Sequence, residues 1–284
     1  MGHIDHRRYP PGMTFSIVAR SADGESWGVA VASKFLAVGA AVPAAVAQVG
    51  AIATQAHANV AYKGLALSHL DDGATAAVAL ERLLEEDEGR DHRQVGIVDV
   101  DGGAATHTGS ACLDWAGGLS GEGYAIQGNV LTGEEVVLAM RDAWEATATD
   151  LPLAHRLLAA LTAGDEAGGD RRGRQSAALL VVRDEAGYDG LDDIAVDLRV
   201  DDHAAPLPEL ARLLDLNDLY LTASTEEEKV PVTPALEAEL SAYAEARGHR
   251  DVAAWVGTEN YEMRVAADLS WIDEKVLAVV RDER

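Results

Sequence analysis

An α+β fold is predicted for this chain: a four-layer αββα sandwich of two largely antiparallel sheets, followed by a small all-helical module. Three observations predict it. Apolar strand patterns come in blocks with hairpin turns between them, and helical patterns come in pairs between those blocks. Composition then shifts to Thr, Ser, Glu and Pro after Leu221.

The first block runs from Thr14 to about Gln55. Phe15-Ser-Ile-Val-Ala19 alternates, Ser21-Ala-Asp-Gly24 supplies a turn, and Trp27-Gly-Val-Ala-Val-Ala-Ser33 returns as the second arm of a hairpin. Short apolar pieces at 44–49 and 51–55 continue the sheet. A first helix is expected over Leu65–Leu70. Ala77, Leu80 and Leu84 recur at helical spacing in a second, with Glu81, Glu85 and Glu86 outside. Strands resume at Gln94–Asp99, Gly103–His107 and Gly123–Gln127. Val137, Met140 and Trp144 mark a third helix, and Leu153, Leu157, Leu158 and Leu161 a fourth. A Gly/Arg loop at 168–176 leads into the strand Ala177–Val182. A last strand is expected at Ile194–Val200 and a helix at Pro208–Leu216.

The expected organisation is an N-terminal extension at 1–12, disordered or removed, a main domain at 13–221, a linker at 222–234 and a helical domain at 235–284. In the last, Leu236, Leu240 and Tyr243 mark one amphipathic helix, and Trp255, Ile272, Val276 and Val279 two more.

Composition excludes several classes. The chain has 284 residues, with 48 acidic against 23 basic side chains and a net charge of −25. Only Lys34, Lys63, Lys229 and Lys275 are lysines; the other basic residues are arginine. No basic stripe exists to neutralise phosphates, so no nucleic-acid partner is expected. An acidic, lysine-poor, alanine-rich surface reads as halophilic. No apolar run approaches the ~20 residues that a membrane span needs, and the first twelve residues lack the apolar stretch of a secretory signal. The lone Cys112 forms no internal disulfide. Cytoplasmic localisation, no membrane partner and a small-molecule substrate or ligand are the expectations; a homodimer or higher homo-oligomer stays open. The nine histidines show no metal-ligand spacing, and no metal or other cofactor is expected. An acidic series, Asp189, Asp192, Asp193, Asp197, Asp201 and Asp202, leaves a cation-dependent enzyme as a rival reading.

Polar residues are dense at the ends of apolar strands: Thr54-Gln-Ala-His-Ala-Asn59, Thr106-His-Thr-Gly-Ser110, Gln127-Gly-Asn129, and Gln175-Ser176 after the arginine loop. Buried amides and hydroxyls are costly without partners. Four such ends in one chain point to a cleft where they meet.

These residues also carry a resemblance. Met13-Thr-Phe-Ser-Ile-Val-Ala-Arg20, Gly28-Val-Ala-Val-Ala-Ser-Lys34, Thr54-Gln55 with Asn59, Gln127-Gly-Asn129 and Gly169-Asp-Arg-Arg-Gly-Arg-Gln-Ser-Ala-Ala-Leu-Leu-Val181 resemble the signature blocks of the family called domain of unknown function 1028. That family is similar to the N-terminal-nucleophile (Ntn) hydrolases, which implies the αββα sandwich. The tail, with Trp255, Glu259-Asn260, Glu262, Arg264, Trp271-Ile-Asp273 and Val276, is similar to a small module often labelled peptidoglycan-binding.

What the resemblance implies is chemical. An Ntn nucleophile is the side chain of the first residue, and its own α-amine is the general base. Thr14 follows Met13 and becomes that residue if the chain starts or is cleaved there. With the residues ahead of it attached, it has no free amine. Ser16 is the rival hydroxyl on the same strand face. Lys34 is the candidate cation, and Asn129 or Gln127, with backbone N–H groups, the candidate oxyanion donors. Catalytic candidates are therefore Thr14, Ser16, Lys34 and Asn129. Substrate-binding candidates are Gln55, Asn59, His107, Gln127, Asp170, Arg172, Gln175 and Ser176, with Arg172 and Arg174 able to clamp a carboxylate or to pair with Asp170. The implied function is an Ntn-type amidohydrolase acting on a small amide or acylated amino compound through an acyl-enzyme. The alternative is a non-catalytic ligand-binding or assembly protein on the same scaffold.

The charge generates the first prediction. Repulsion among surface carboxylates is screened by salt, so the melting temperature should rise with KCl into the molar range. A flat or falling profile would count against the halophilic reading.

Overall fold

The structure, a computed structural model, describes residues 14–282. In chain order it contains β1 (Thr14–Arg20), β2 (Ser26–Ser33), α1 (Val38–Ala41), β3 (Pro43–Val46), β4 (Gly50–Ala56), α2 (Ala61–Asp71), α3 (Ala76–Glu85), β5 (Arg93–Asp99), β6 (Ala104–Thr108), β7 (Gly117–Gly121), β8 (Tyr124–Asn129), α4 (Glu135–Ala146), α5 (Leu153–Glu166), β9 (Ser176–Arg183), β10 (Ile194–Val200) and α6 (Pro206–Leu221). Then follow β11 (Lys229–Pro231), α7 (Pro234–Ala246), α8 (Val252–Thr258), β12 (Trp271–Asp273) and α9 (Glu274–Asp282). The chain divides into two compact units between Ala211 and Arg212, inside α6.

In the N-terminal unit, a six-stranded sheet runs β10-β9-β2-β1-β8-β7 and a four-stranded sheet runs β3-β4-β5-β6. Every strand pair in both is antiparallel. The side-chain period of two sorts each strand between two faces. Val18, Trp27, Val29, Val31, Ala51, Ala53, Val98 and Val182 pack between the sheets. The opposite face of the four-stranded sheet, with Ile52, Val95 and Ile97, packs on Tyr62, Ala66 and Leu70 of α2 and Ala79, Leu80 and Leu83 of α3. The other sheet's outer face meets α4 and α5, where Gly164 gives Met140 and Phe15 room to approach. Thr75 caps α3 through the Val78 N–H. Asp99 at the end of β5 accepts the Ala76 N–H at 2.8 Å, which ties that helix start to the sheet.

Three differences from expectation have local causes. The helix expected at Leu65–Leu70, α2, begins at Ala61, where Asn59 Oδ1 accepts the Ala61 N–H and opens the helix earlier. β7, Gly-Gly-Leu-Ser-Gly, carries no apolar alternation; it is an edge strand specified by pairing with β8. The segment expected to be a linker contains β11, which pairs with β12 of the same unit.

The C-terminal unit packs Leu236, Leu240, Tyr243, Trp255, Ile272 and Val276 into its own core. Arg264 is buried among them at 1% exposure. Its Nη1 donates to Asp273 Oδ2 at 2.7 Å and to Glu228 Oε2 at 3.2 Å, and its Nε to the Leu219 carbonyl at 3.1 Å. Ser224 Oγ donates to the same Asp273 oxygen at 2.5 Å. One guanidinium thus joins the segments before α7 to β12. Replacing it strands the buried carboxylate of Asp273, a loss of about 3–5 kcal/mol. Arg264→Leu should lower the stability of this unit by that amount in denaturant unfolding of the full chain; a loss under about 1 kcal/mol would show that the pair is dispensable.

Candidate functional site

The layer between the two sheets changes character along its length. Beyond the apolar part described above, one end is polar. β1 opens with Thr14, whose cross-strand neighbours are Ser33 on β2 and Asn129 on β8, and Ser33 in turn pairs with Ser176 on β9. Facing them from the other sheet are Gln55 on β4 and Gln94 on β5. All are buried.

Burial forces these groups to satisfy one another. Ser16 Oγ donates to Gln55 Oε1 at 2.6 Å and accepts from Gln127 Nε2 at 2.7 Å. Gln55 Nε2 donates to Gln94 Oε1 at 2.8 Å, to the Thr14 carbonyl at 3.2 Å and to the Gln127 carbonyl at 3.3 Å. Gln94 Nε2 crosses back to the Gly128 carbonyl at 2.7 Å and Thr108 Oγ1 at 2.9 Å. Asn129 Nδ2 donates to Gln94 Oε1 at 2.8 Å and to the Thr14 carbonyl at 3.4 Å. Gly96, in the middle of β5, makes room: a Cβ there would lie 2.0 Å from Gln127 Oε1.

Thr14 Oγ1 stands apart from this web and shares one hydrogen bond with Ser33 Oγ at 3.1 Å. The loop between α5 and β9 passes across the strand ends beside it. Asp170 bridges to Leu131 just beyond β8, the Arg171 N–H donates to the Val130 carbonyl at 3.1 Å, and the Gln175 N–H donates to the Ser33 carbonyl at 3.2 Å. Asp170 Oδ2 accepts the Lys34 backbone N–H at 2.8 Å. Thr14, Lys34, Asn129 and the 170–172 segment are therefore brought together. Two strands end here in left-handed backbone: Ala56 at φ 62° follows Gln55, and Val130 at φ 51° follows Asn129. For a β-branched residue that conformation is a true outlier.

The remaining candidates are placed as follows. Ser16 is at 0% exposure with its hydroxyl used as both donor and acceptor. The amide hydrogens of Asn129 and Gln127 are committed within the web, so neither side chain is poised to donate to an oxyanion. Lys34 Nζ turns to the Arg174 carbonyl at 3.3 Å. Arg172 pairs with Asp170 at 3.0 Å, and Arg174 holds Asp165 with two 2.8 Å bonds. Ser176 Oγ donates to the Phe35 carbonyl at 2.5 Å and accepts the Val38 N–H at 3.2 Å, which pins the turn after β2. Gln175 Nε2 donates to Asp202 Oδ1.

Asn59 and His107 serve other surroundings. Asn59 Nδ2 donates to Asp87, which also accepts from Tyr62 and Arg93. Burial pushes the Asp87 carboxyl up, but these donors and the Gly89 N–H outweigh it and hold the group well below the usual carboxylate range. Burial, then the bond to Asp87, raises the Tyr62 phenol far above its ordinary value. His107 lies on an open groove of about 690 Å³ beside α3, with Leu80, Leu84 and Arg90. Among the described residues no group of three or more His, Cys, Asp or Glu could hold a metal ion. In the 185–199 segment, Asp192 and Asp193 accept backbone N–H groups and Asp197 pairs with Arg199. No described helix is long and apolar enough to cross a membrane.

Gln94 and Ser33 were not expected at the site. Gln94 opens an apolar strand and reads as its boundary, and Ser33 closes one. The available signal was again a polar residue on the inward register of a buried strand.

The family model described as "Family of unknown function (DUF1028)" matches residues 14–210. Protein SPO2555 of Silicibacter pomeroyi, a structure assigned to DUF1028, is 33% identical over 72% of this chain and 89% of its own, with a TM-score of 0.65. Anbu (ancestral beta-subunit) from Yersinia bercovieri is 10% identical over 72% of this chain and 94% of its own, with a TM-score of 0.32. No curated protein matches. The chain belongs to the DUF1028 family.

Gln94 generates the prediction. Gln94→Leu leaves the Asn129 amide and the Gly128 carbonyl short of a partner, at about 1–3 kcal/mol for each stranded group. Stability should fall by about 2–6 kcal/mol in chemical denaturation; a change below about 1 kcal/mol would mean the web is loosely coupled.

Proposed function

We propose that the N-terminal unit is a four-layer αββα sandwich of the Ntn-hydrolase type, and that it hydrolyses a small amide or an acylated amino compound. One observation supports this above the others. The Thr14 carbonyl is held by two buried amides from different strands, while among the described residues its hydroxyl keeps a single bond, to Ser33. The backbone of one residue is fixed and its oxygen left available, which is what a nucleophile at the head of a strand requires. The rival hydroxyl, Ser16, is consumed by the web.

In this reading the chain is cut before Thr14. The freed α-amine takes the Oγ proton as Oγ adds to the substrate carbonyl. The C–N bond breaks, the proton passes to the leaving amine, and an ester to Thr14 remains. Water then attacks the ester, with the amine again as base, and releases the acid. Backbone N–H groups serve the oxyanion, since the Asn129 and Gln127 amides are occupied. Lys34 acts through its charge rather than by contact with Oγ. The expected setting remains cytoplasmic and salt-rich.

A second reading, a non-catalytic ligand-binding or assembly protein, is favoured by the burial of Thr14 at 2% exposure. With residues ahead of it attached, its nitrogen is an amide and cannot act as a base. The two readings part on one experiment. Intact mass of protein from its native host should begin at Thr14. On a panel of small N-acyl compounds, Thr14→Ala should cost about three orders of magnitude or more in rate, and Ser16→Ala less. Full activity in a chain that retains residues 1–13 would overturn the free-amine mechanism, and the reverse ranking would move the nucleophile to Ser16.

A further inference from the structure

Four of the basic residues of this acidic chain flank the strand ends around Thr14: Lys34, Arg171, Arg172 and Arg174. Two are neutralised. Arg172 is paired with Asp170, and Arg174 with Asp165. The other two donate to main-chain oxygen, Lys34 Nζ to the Arg174 carbonyl at 3.3 Å and Arg171 Nη2 to the Asp114 carbonyl at 3.1 Å. Among the described residues neither forms an ion pair. A carbonyl accepts a hydrogen bond without cancelling a charge, so both cations keep theirs. Of the acids nearby, Asp170 and Asp165 are paired with their arginines, while Asp202, which takes the Gln175 amide, and the exposed Asp114, which offers Arg171 its backbone, keep their own charges at the margin of the rim. Other cations of the chain also rest on main-chain oxygen, among them Lys63 and Arg90; Lys34 and Arg171 are the pair that does so beside Thr14.

Their placement is specific. Lys34 follows Ser33, the neighbour of Thr14 on β2, and Arg171 is bonded through its N–H to Val130, next to Asn129, the neighbour on β8. They stand on opposite flanks of β1, roughly two strand spacings or ~10 Å apart. The same rim exposes apolar side chains: Phe35 at 42% and Leu36 at 60% on the β2 flank, and Leu113 at 50% on the β8 flank, where its carbonyl accepts the Val130 N–H. Large apolar side chains are exposed elsewhere in this unit as well, Tyr188 and Leu191 among them, but not beside unpaired cations at the head of β1. Cations and apolar surface around one candidate nucleophile ask for a ligand with both an anion and a hydrocarbon.

We infer that the ligand of this end is an N-acyl amino acid. Its carboxylate is taken by Arg171 and Lys34, which reach in from the two flanks of Thr14, and its acyl chain runs outward along the exposed apolar side chains of one flank, Phe35 and Leu36, leaving the amide beside Thr14. The inference rests on the proposed function for the amide's place, but recognition of the carboxylate does not require that turnover occur.

The probes are N-octanoylglycine, its neutral counterpart N-octanoylglycinamide, N-acetylglycine and octyl phosphate. Binding is measured by calorimetry at one KCl concentration, on the protein as isolated and on Lys34→Gln, Arg171→Gln and the double variant; release of free amine is followed in parallel. N-octanoylglycine should bind about tenfold to a hundredfold more tightly than the glycinamide, as expected for a charge-assisted contact. It should also bind more tightly than N-acetylglycine, and the double variant should erase the preference for the carboxylate. Equal binding of acid and amide, a preference that survives the double variant, tighter binding of octyl phosphate, or no binding of any probe would overturn the inference. In protein whose intact mass begins at Thr14, a carboxylate preference without amine release would leave it standing and remove the hydrolase reading. Release of amine from the glycinamide as fast as from the acid would do the opposite.

Discussion

The structure of the N-terminal unit depends on how it buries amides between two sheets. Gln94 receives hydrogen bonds from Gln55 and Asn129 and sends its own to Gly128 and Thr108. One side chain therefore links β5 to strands of both sheets. Neutral hydrogen bonds add little net stability each, but a buried amide without partners costs far more. The web thus acts mainly as a register device. A slip of β1 by one residue would turn Thr14 and Ser16 outward and take the Ser16 hydroxyl from both Gln55 Oε1 and Gln127 Nε2 at once. The apolar part of the same layer, from Val18 to Trp27, supplies cohesion; the polar part selects one alignment.

That division explains what the sequence could disclose. Alternation located β1 and β2, and apolar spacing located α3 to α5, because those patterns answer to a nearby core. Gln55, Gln127 and Asn129 drew notice because polar groups on apolar strands need an explanation. Their partners were not legible. Whether Asn129 faces an oxyanion or Gln94 depends on the distance between two sheets, which no spacing along the chain encodes. Arg172 and Asp170, two residues apart, form the local pair that their proximity allows, whereas nothing along the chain shows that the backbone of Arg171 lies beside Val130. β7, with three glycines in five residues, was invisible because its pairing, not its side chains, defines it.

The C-terminal unit meets the same constraint with charge instead of amides. Arg264 gathers Asp273, Glu228 and a carbonyl from the end of α6. A buried ion pair is a poor source of net stability but a strong selector of one arrangement, since breaking it strands a charge. Of the residues that resemble a small wall-binding module, Trp255, Arg264, Asp273 and Val276 are all buried in this unit. Their pattern is explained by the core they build.

The web also limits where chemistry can take place. Every polar group it contains is already used, and the layer behind it is apolar, so a ligand entering between the sheets would have to break several buried hydrogen bonds to gain a place. Approach from the strand ends leaves the web intact and meets the 170–175 loop instead. There the backbone bears its strain, at Ala56 and Val130, each at a cost of about 1–3 kcal/mol. Both follow directly on an amide of the web, Gln55 and Asn129, so the alignment that satisfies the amides also imposes the turn. The first residue of β1 lies where these two effects meet. Its carbonyl belongs to the web, while its hydroxyl faces Ser33 on the rim that carries Lys34 and Arg171. It is this combination, an atom fixed from behind with cations on the rim beside it, that the proposed anionic ligand would use.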